Sequence, residues 1–63
     1  MSDFKTRLIQ ERDELQEKYQ KLSLFMCSPA FNELDKLHRD LLQQQHCHMN
    51  GYLLTLSQRL DNL

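Results

Sequence analysis

Proline occurs once in this chain, at position 29, and the segments on both sides of it carry apolar residues at helical spacing. Before the proline, apolar residues recur mostly every three or four positions from Phe4 to Met26. After it, the same period continues from Phe31 to Leu63. A single glycine argues against an all-β fold, which needs many turns. The sequence therefore predicts an all-α protein built from two helices.

The whole chain, residues 1–63, is expected to form one domain with a first helix over about residues 3–26. Ser2 or Asp3 can cap that helix, and the charge of Asp3 suits the positive end of the helix dipole. No proline interrupts it.

A turn at residues 27–29 is expected to lead into a second helix over about residues 29–62. Ser28 is a favourable N-cap, and Pro29 fits the first helical position, where its missing N–H costs nothing. A connection this short makes the two helices antiparallel. The fold class is therefore an antiparallel helical hairpin with a longer second helix.

The second helix is predicted to run almost to the end of the chain. It is therefore about 10 residues longer than the first helix, or about 15 Å at 1.5 Å per residue. The tail from Tyr52 onward would then have no partner within its own chain, although it is rich in leucine. Contiguous apolar patches usually mark an interface, so a homo-oligomer is expected.

Asn50-Gly51 is the uncertain point of the second helix, because a glycine within a helix costs about 1 kcal/mol relative to Ala and this dipeptide also forms turns. The apolar spacing keeps its phase across the dipeptide, which favours a continuous helix. A kink or break at Gly51 stays open.

Composition excludes several function classes. The formal net charge is −1 with both signs mixed along the chain, which argues against binding to polymeric DNA or RNA. No apolar run approaches the roughly 18 residues of a membrane span, and the first residues do not resemble a signal peptide. A cytoplasmic protein is expected, with no membrane partner.

The histidines and cysteines do not predict a metal site. Residues 46–48 read His-Cys-His, but successive helical side chains point about 100° apart and do not converge on one ion. His38 is not four residues from another histidine. Cys27 and Cys47 are expected to be free thiols, and no cofactor is predicted.

Acidic residues of the first helix do not predict catalysis, because most have a cation four positions away. These pairs are Arg7 with Glu11, Glu14 with Lys18, and Glu17 with Lys21. Two helices offer no evident catalytic pocket, so the chain is not expected to be an enzyme.

Glu11 and Lys18 have a second possible role, because they occupy seam positions in a heptad pattern that also contains Leu8, Leu15 and Leu22. They either control the register of helix pairing or line a polar cavity between chains that holds a ligand. Both interpretations stay open.

Six short motifs together resemble a family of small helical-hairpin proteins related to crAss-phages. The motifs are D-F-x-x-R-L at 3–8, K-L-S-x-F at 21–25, S-x-x-F at 28–31, L-L-x-x-Q at 41–45, M-x-x-Y at 49–52 and S-Q-R-L at 57–60. That family includes anti-CBASS sponges, which sequester the cyclic oligonucleotide signals of bacterial anti-phage immunity.

The resemblance implies a phage protein acting in the host bacterial cytoplasm as a homo-oligomer, expected to be a hexamer. Its expected ligands are cyclic dinucleotides such as cyclic GMP-AMP, bound without cleavage, with cyclic trinucleotides as a further class. The alternative is a structural or protein-binding helical module without a small-molecule ligand, since two apolar helices suffice for that role.

The resemblance also implies a set of ligand-binding residues. Bases need flat apolar surfaces, and phosphates need cations and hydrogen-bond donors. The dinucleotide set is Phe4, Arg7, Leu8, Lys21, Ser23 and Phe25. Phe25 equally fits the core of the hairpin, and Arg59 is the candidate for a separate trinucleotide site near a symmetry axis.

A dinucleotide pocket that uses both Phe4 and Lys21 needs residues from two chains. Phe4 and Lys21 are separated on one helix by about 25 Å, whereas a cyclic dinucleotide is on the order of 10 Å across. If two copies of the first helix pack antiparallel, the start of one lies beside the end of the other, and symmetry gives two equivalent pockets per pair.

Overall fold

The computed structural model describes residues 3–63, which form three helices and no strand. Helix α1 spans Asp3–Met26, α2 spans Pro29–Asn32 and α3 spans Lys36–Asp61. α1 and α3 pack along each other in antiparallel directions and form a rod of 48 × 15 × 13 Å. The prediction of an all-α fold with a long helix pair is confirmed.

The two long helices contact each other through a heptad-like seam. The α3 residues that are buried or half-buried are Arg39, Leu42, His46, Met49, Leu53, Leu56 and Leu60. The corresponding seam of α1 is formed by Leu8, Arg12, Leu15, Tyr19, Leu22 and Met26. Alternating steps of three and four residues keep each row on one helix face, as in antiparallel coiled coils.

The predicted continuous helix over 29–62 is wrong, because the chain breaks at residues 33–35 between α2 and α3. Asp35 adopts an extended conformation, and its carboxylate accepts a hydrogen bond from the backbone N–H of His38 at 2.9 Å. This is the N-cap geometry for which Asp is favoured. Asp35 is the residue in the sequence that indicates this helix start. Its carboxylate also lies 2.6 Å from His38 Nδ1, and it makes no ion pair with Arg39 within residues 3–63.

The hydrogen bond from the His38 backbone N–H, together with that from the His38 ring, lowers the pKa of the Asp35 carboxyl below its ordinary value of 3.8. The cap therefore contributes stability above that pH, and its contribution is lost as the pH falls through the lowered pKa. At neutral pH the cap is fully ionised.

The short helix α2 closes the turn end of the hairpin. The ring of Phe31 is buried and meets the ring of Phe25 edge-on, with centroids 6.2 Å apart. Ser28 precedes α2 as its N-cap, but its hydroxyl donates backward to the carbonyl oxygen of Phe25 at 2.6 Å. Phe25 thus belongs to the core at this end, as one of its two predicted roles required.

The predicted overhanging tail is also wrong. The connection and α2 use residues 27–35, so α3 has 26 residues against 24 in α1 and is not markedly longer. Leu53 and Leu56, assigned to the overhang, are buried against α1 with exposed fractions of 9% and 0%. The part of the chain that the structure describes therefore has no unpartnered leucine-rich tail that would require association.

Apolar surface remains exposed elsewhere on the hairpin. Only Leu8, Phe31, Leu53 and Leu56 are buried in the described part of the chain. The exposed large apolar side chains are Phe4, Leu24, Leu37, Leu41, Tyr52, Leu54 and Leu63. Leu37, Leu41 and Tyr52 form a second row on α3, beside the seam.

α3 continues through Gly51 without a break, which confirms the interpretation from the apolar spacing. The glycine has no positive φ, and a Cβ added there meets nothing within 4 Å. No contact of the described chain therefore requires glycine at this position.

Gly51→Ala is expected to stabilise the protein by about 1 kcal/mol, because alanine loses less backbone entropy in a helix than glycine. Thermal unfolding followed by circular dichroism measures the effect. A lower melting temperature in the variant would contradict the expectation.

Candidate functional site

A cavity of about 280 Å³ opens at the end of the hairpin where α1 begins and α3 ends. It is lined by Phe4, Arg7, Leu8, Glu11 and Arg59. The α1 residues lie three or four positions apart and so share one helix face. The structure thus brings together three residues of the predicted dinucleotide set, Phe4, Arg7 and Leu8.

The packing of α1 on α3 positions the residues that form the floor and one wall of the cavity. Leu8 is 3% exposed and packs at the seam, which fixes the start of α1 against α3. Because α1 is antiparallel to α3, this register brings Arg59 to Phe4, with its guanidinium carbon 5.9 Å from the ring centroid. That distance is within the range of a cation–π contact, so Arg59 supports the exposed ring of Phe4.

The charged side chains of the cavity are not neutralised by one another. Within residues 3–63, no ion pair involves Arg7, Glu11 or Arg59, so the expected pair between Arg7 and Glu11 does not form. By contrast, Arg12 one position beyond Glu11 is paired with Asp13 at 3.0 Å. The cavity therefore presents two guanidinium groups, one carboxylate and an aromatic ring to a ligand.

Arg59 was assigned from the sequence to a separate site on an overhanging tail. The structure instead places it in the wall of the cavity that contains Phe4 and Arg7. Sequence reasoning missed this because the position of Arg59 along α1 depends on the length of the connection, which the break at residues 33–35 sets. Its role toward trinucleotides stays a prediction.

The remaining predicted residues lie toward the opposite end of α1. Lys21 points to solvent and is paired with Glu17 at 3.1 Å. The Phe25 ring packs on Phe31. Since Phe4 and Lys21 are about 25 Å apart on the same straight helix, one chain does not bring both halves of the predicted set together.

Ser23 is engaged between the helices. Its hydroxyl donates to the carbonyl oxygen of Tyr19 at 2.9 Å and lies 2.7 Å from His46 Nε2. The His46 ring stacks on Tyr19 with centroids 4.4 Å apart. The sequence predicts no contact for His46, and only the register of α1 on α3 reveals this one. Donation of a hydrogen bond by Ser23 to a ligand would require its bond to Tyr19 to break.

Residues 3–63 were also compared with what a metal site or a membrane-spanning helix requires. Residues 3–63 contain no group of three or more His, Cys, Asp or Glu side chains that would hold a metal ion. None of the helices in this range is long and apolar enough to cross a membrane. Cys27 and Cys47 are exposed free thiols.

Comparison with known proteins identifies a family. No curated protein and no solved structure matches the chain. A family model described as Sequestin matches residues 2–62. Because this match covers nearly the full length, the chain belongs to the Sequestin family, whose name describes sequestration.

Proposed function

We propose that this protein is a phage-encoded sponge that binds cyclic dinucleotides such as cyclic GMP-AMP and sequesters them intact. Acting in the host bacterial cytoplasm, it keeps the signal from its effector and so inhibits CBASS-type immunity. It cleaves nothing and needs no cofactor. Membership of the Sequestin family supports the sequestering part of this proposal.

The observation that carries the nucleotide part is the juxtaposition of Phe4, Arg7 and Arg59 around one cavity. A cyclic dinucleotide presents two aromatic bases and two phosphates. An exposed ring can stack on a base, and a guanidinium binds phosphate oxygens in a planar, bidentate geometry. The absence of ion pairs to these arginines within residues 3–63 leaves them able to do so.

The cavity of one chain is a half-site. Its volume of about 280 Å³ lies just below the range of small-molecule sites, which are roughly 300–1,000 Å³. Arg7 and Phe25 are five helical turns apart and so lie on the same face of α1, with Lys21 close to that face. Two copies of α1 packed antiparallel therefore bring this cavity beside Lys21 of the other copy.

Exposed apolar side chains supply surface for such an assembly. Phe4 is 56% exposed, and Leu37 and Leu41 are 62% and 50% exposed on α3. Apolar side chains at these positions are better covered in an oligomer, for which we propose a hexamer. A chain of this size buries little core by itself, so association would also stabilise it.

Ligand-dependent thermal stability tests the proposal. A cyclic dinucleotide at a hundredfold excess over its dissociation constant adds about 2.7 kcal/mol by binding only the folded state. For a domain of this size, that raises Tm by roughly 10 °C or more. The matched controls are the corresponding mononucleotides, and chromatography of the released ligand shows whether it is intact. Unchanged Tm with all cyclic dinucleotides would contradict the proposal.

The second candidate function is a helical oligomerisation or protein-binding module. The exposed row of Leu37, Leu41 and Tyr52 on α3 favours it. Such a module ignores cyclic nucleotides in the same experiment while its oligomeric state stays intact. Cyclic trinucleotide binding through Arg59 remains a separate proposal, tested by including a trinucleotide in the thermal series.

A further inference from the structure

Four residues of α1 recur at intervals of seven and form a row along the helix, here called the α1 row: Phe4, Glu11, Lys18 and Phe25. Seven residues are almost two helical turns, so the row stays on one side of α1 over about 32 Å. Phe4, Glu11 and Lys18 are exposed, and Phe25 is half-buried. The α1 row is therefore open to a partner over most of its length.

The order of side chains in the α1 row is self-complementary. From either end it contains an aromatic ring, a charge, the opposite charge and a second aromatic ring. When two copies of α1 pack antiparallel with Glu11 opposite Lys18 of the second copy, two-fold symmetry repeats this contact. The same register places Phe4 opposite Phe25 of the second copy. One arrangement therefore makes two ion pairs and two aromatic contacts.

The neighbouring heptad registers bring like charges together. A shift of seven residues in one direction places Glu11 opposite Glu11 of the second copy, and a shift in the other direction places Lys18 opposite Lys18. Like charges that face each other disfavour a helix pairing, and opposite charges favour it. The α1 row thus selects one antiparallel register over the two adjacent ones.

Neither charge of the α1 row is used within its own chain. The ion pairs expected from spacing, Arg7 with Glu11 and Glu14 with Lys18, do not form within residues 3–63. Glu11 and Lys18 can therefore bond to a second copy without breaking an ion pair of the described hairpin.

We propose that the α1 row is the contact surface for a second copy of this chain, with Glu11 of each copy bonded to Lys18 of the other. This inference rests on the proposed function in one respect, since the same register completes the proposed pocket. It places Lys21 of the second copy opposite Leu8, at the edge of the cavity that Arg7 lines. Cations of both chains then border one pocket, and an anionic ligand offsets their mutual repulsion.

Charge exchange tests the pairing, with self-association of the ligand-free full chain measured by sedimentation equilibrium. Glu11→Lys and Lys18→Glu each replace both ion pairs with like-charge contacts, so each should weaken self-association by about tenfold or more. The double variant Glu11→Lys/Lys18→Glu restores both opposite-charge contacts. Its association should return to within about threefold of the wild type. Far-UV circular dichroism verifies that the variants stay helical, as expected for substitutions at exposed positions.

Asp13→Lys is the matched control, because it makes the same charge change as Glu11→Lys at an exposed position about 200° around the helix. It should associate like the wild type. A monomeric wild type, or a double variant as weak as the single variants, would overturn the pairing. So would equal weakening by Asp13→Lys. An assembly that follows the charge exchange but gives no heat with cyclic dinucleotides would support the pairing and overturn the sponge function alone.

Discussion

Leu56→Asp is expected to unfold the hairpin. Leu56 is the only large side chain that is completely buried in the described part of the chain. A 63-residue domain has a stability of only about 3–9 kcal/mol. Losing this side chain alone costs about 2–5 kcal/mol, and burying an unpaired carboxylate adds several more. The far-UV circular dichroism of helix should collapse, and ligand binding should disappear with it.

Leu54→Asp is the matched control, because Leu54 is on the same helix but 59% exposed. Exposed substitutions usually change stability by less than about 0.5 kcal/mol, so this variant should stay helical. A Leu56→Asp protein with wild-type helicity and melting temperature would show that the contact between α1 and α3 is not what holds the fold together.

Arg7→Glu is expected to abolish cyclic dinucleotide binding while leaving the hairpin folded. Arg7 is exposed and lines the cavity, so its replacement removes no core contact. A lost charge-assisted hydrogen bond weakens binding by about tenfold to a hundredfold, and reversing the charge adds repulsion of the phosphates. Titration calorimetry of the variant measures the loss.

Lys5→Glu is the control for Arg7→Glu, because it makes the same change in net charge at an exposed position of α1 that does not line the cavity. It should bind almost as well as the wild type. Equal losses in the two variants would mean that net charge, rather than a phosphate contact at Arg7, governs affinity.

The helical hairpin was predictable because its signals are local. Pro29 is the only strong breaker, and the apolar spacing on each side has one period. The break before α3 was not predictable from the sequence, because Asp35 has two plausible local roles. It could pair with Arg39 four residues on, or cap a helix, and the cap prevails through the His38 backbone hydrogen bond.

The candidate site also has a part that local sequence predicts and a part that it does not. Phe4, Arg7 and Leu8 lie within one and a half turns of one helix, so their proximity follows from helical geometry alone. Arg59 joins them only because the connection consumes residues 27–35 and thereby sets the register of α3 on α1. The contact of Ser23 with His46 depends on that register too. Long-range register is not encoded in any local motif.

If the chain sequesters a cyclic dinucleotide in pockets made by two copies, ligand binding and oligomerisation must occur together. Isothermal titration of cyclic GMP-AMP into the purified wild-type protein, with the oligomeric state measured in parallel by sedimentation, tests it most directly. We expect saturable heat at about one ligand per chain, because two antiparallel copies would form two equivalent pockets. Absence of heat with any cyclic dinucleotide, or full binding by a monomer, would contradict it.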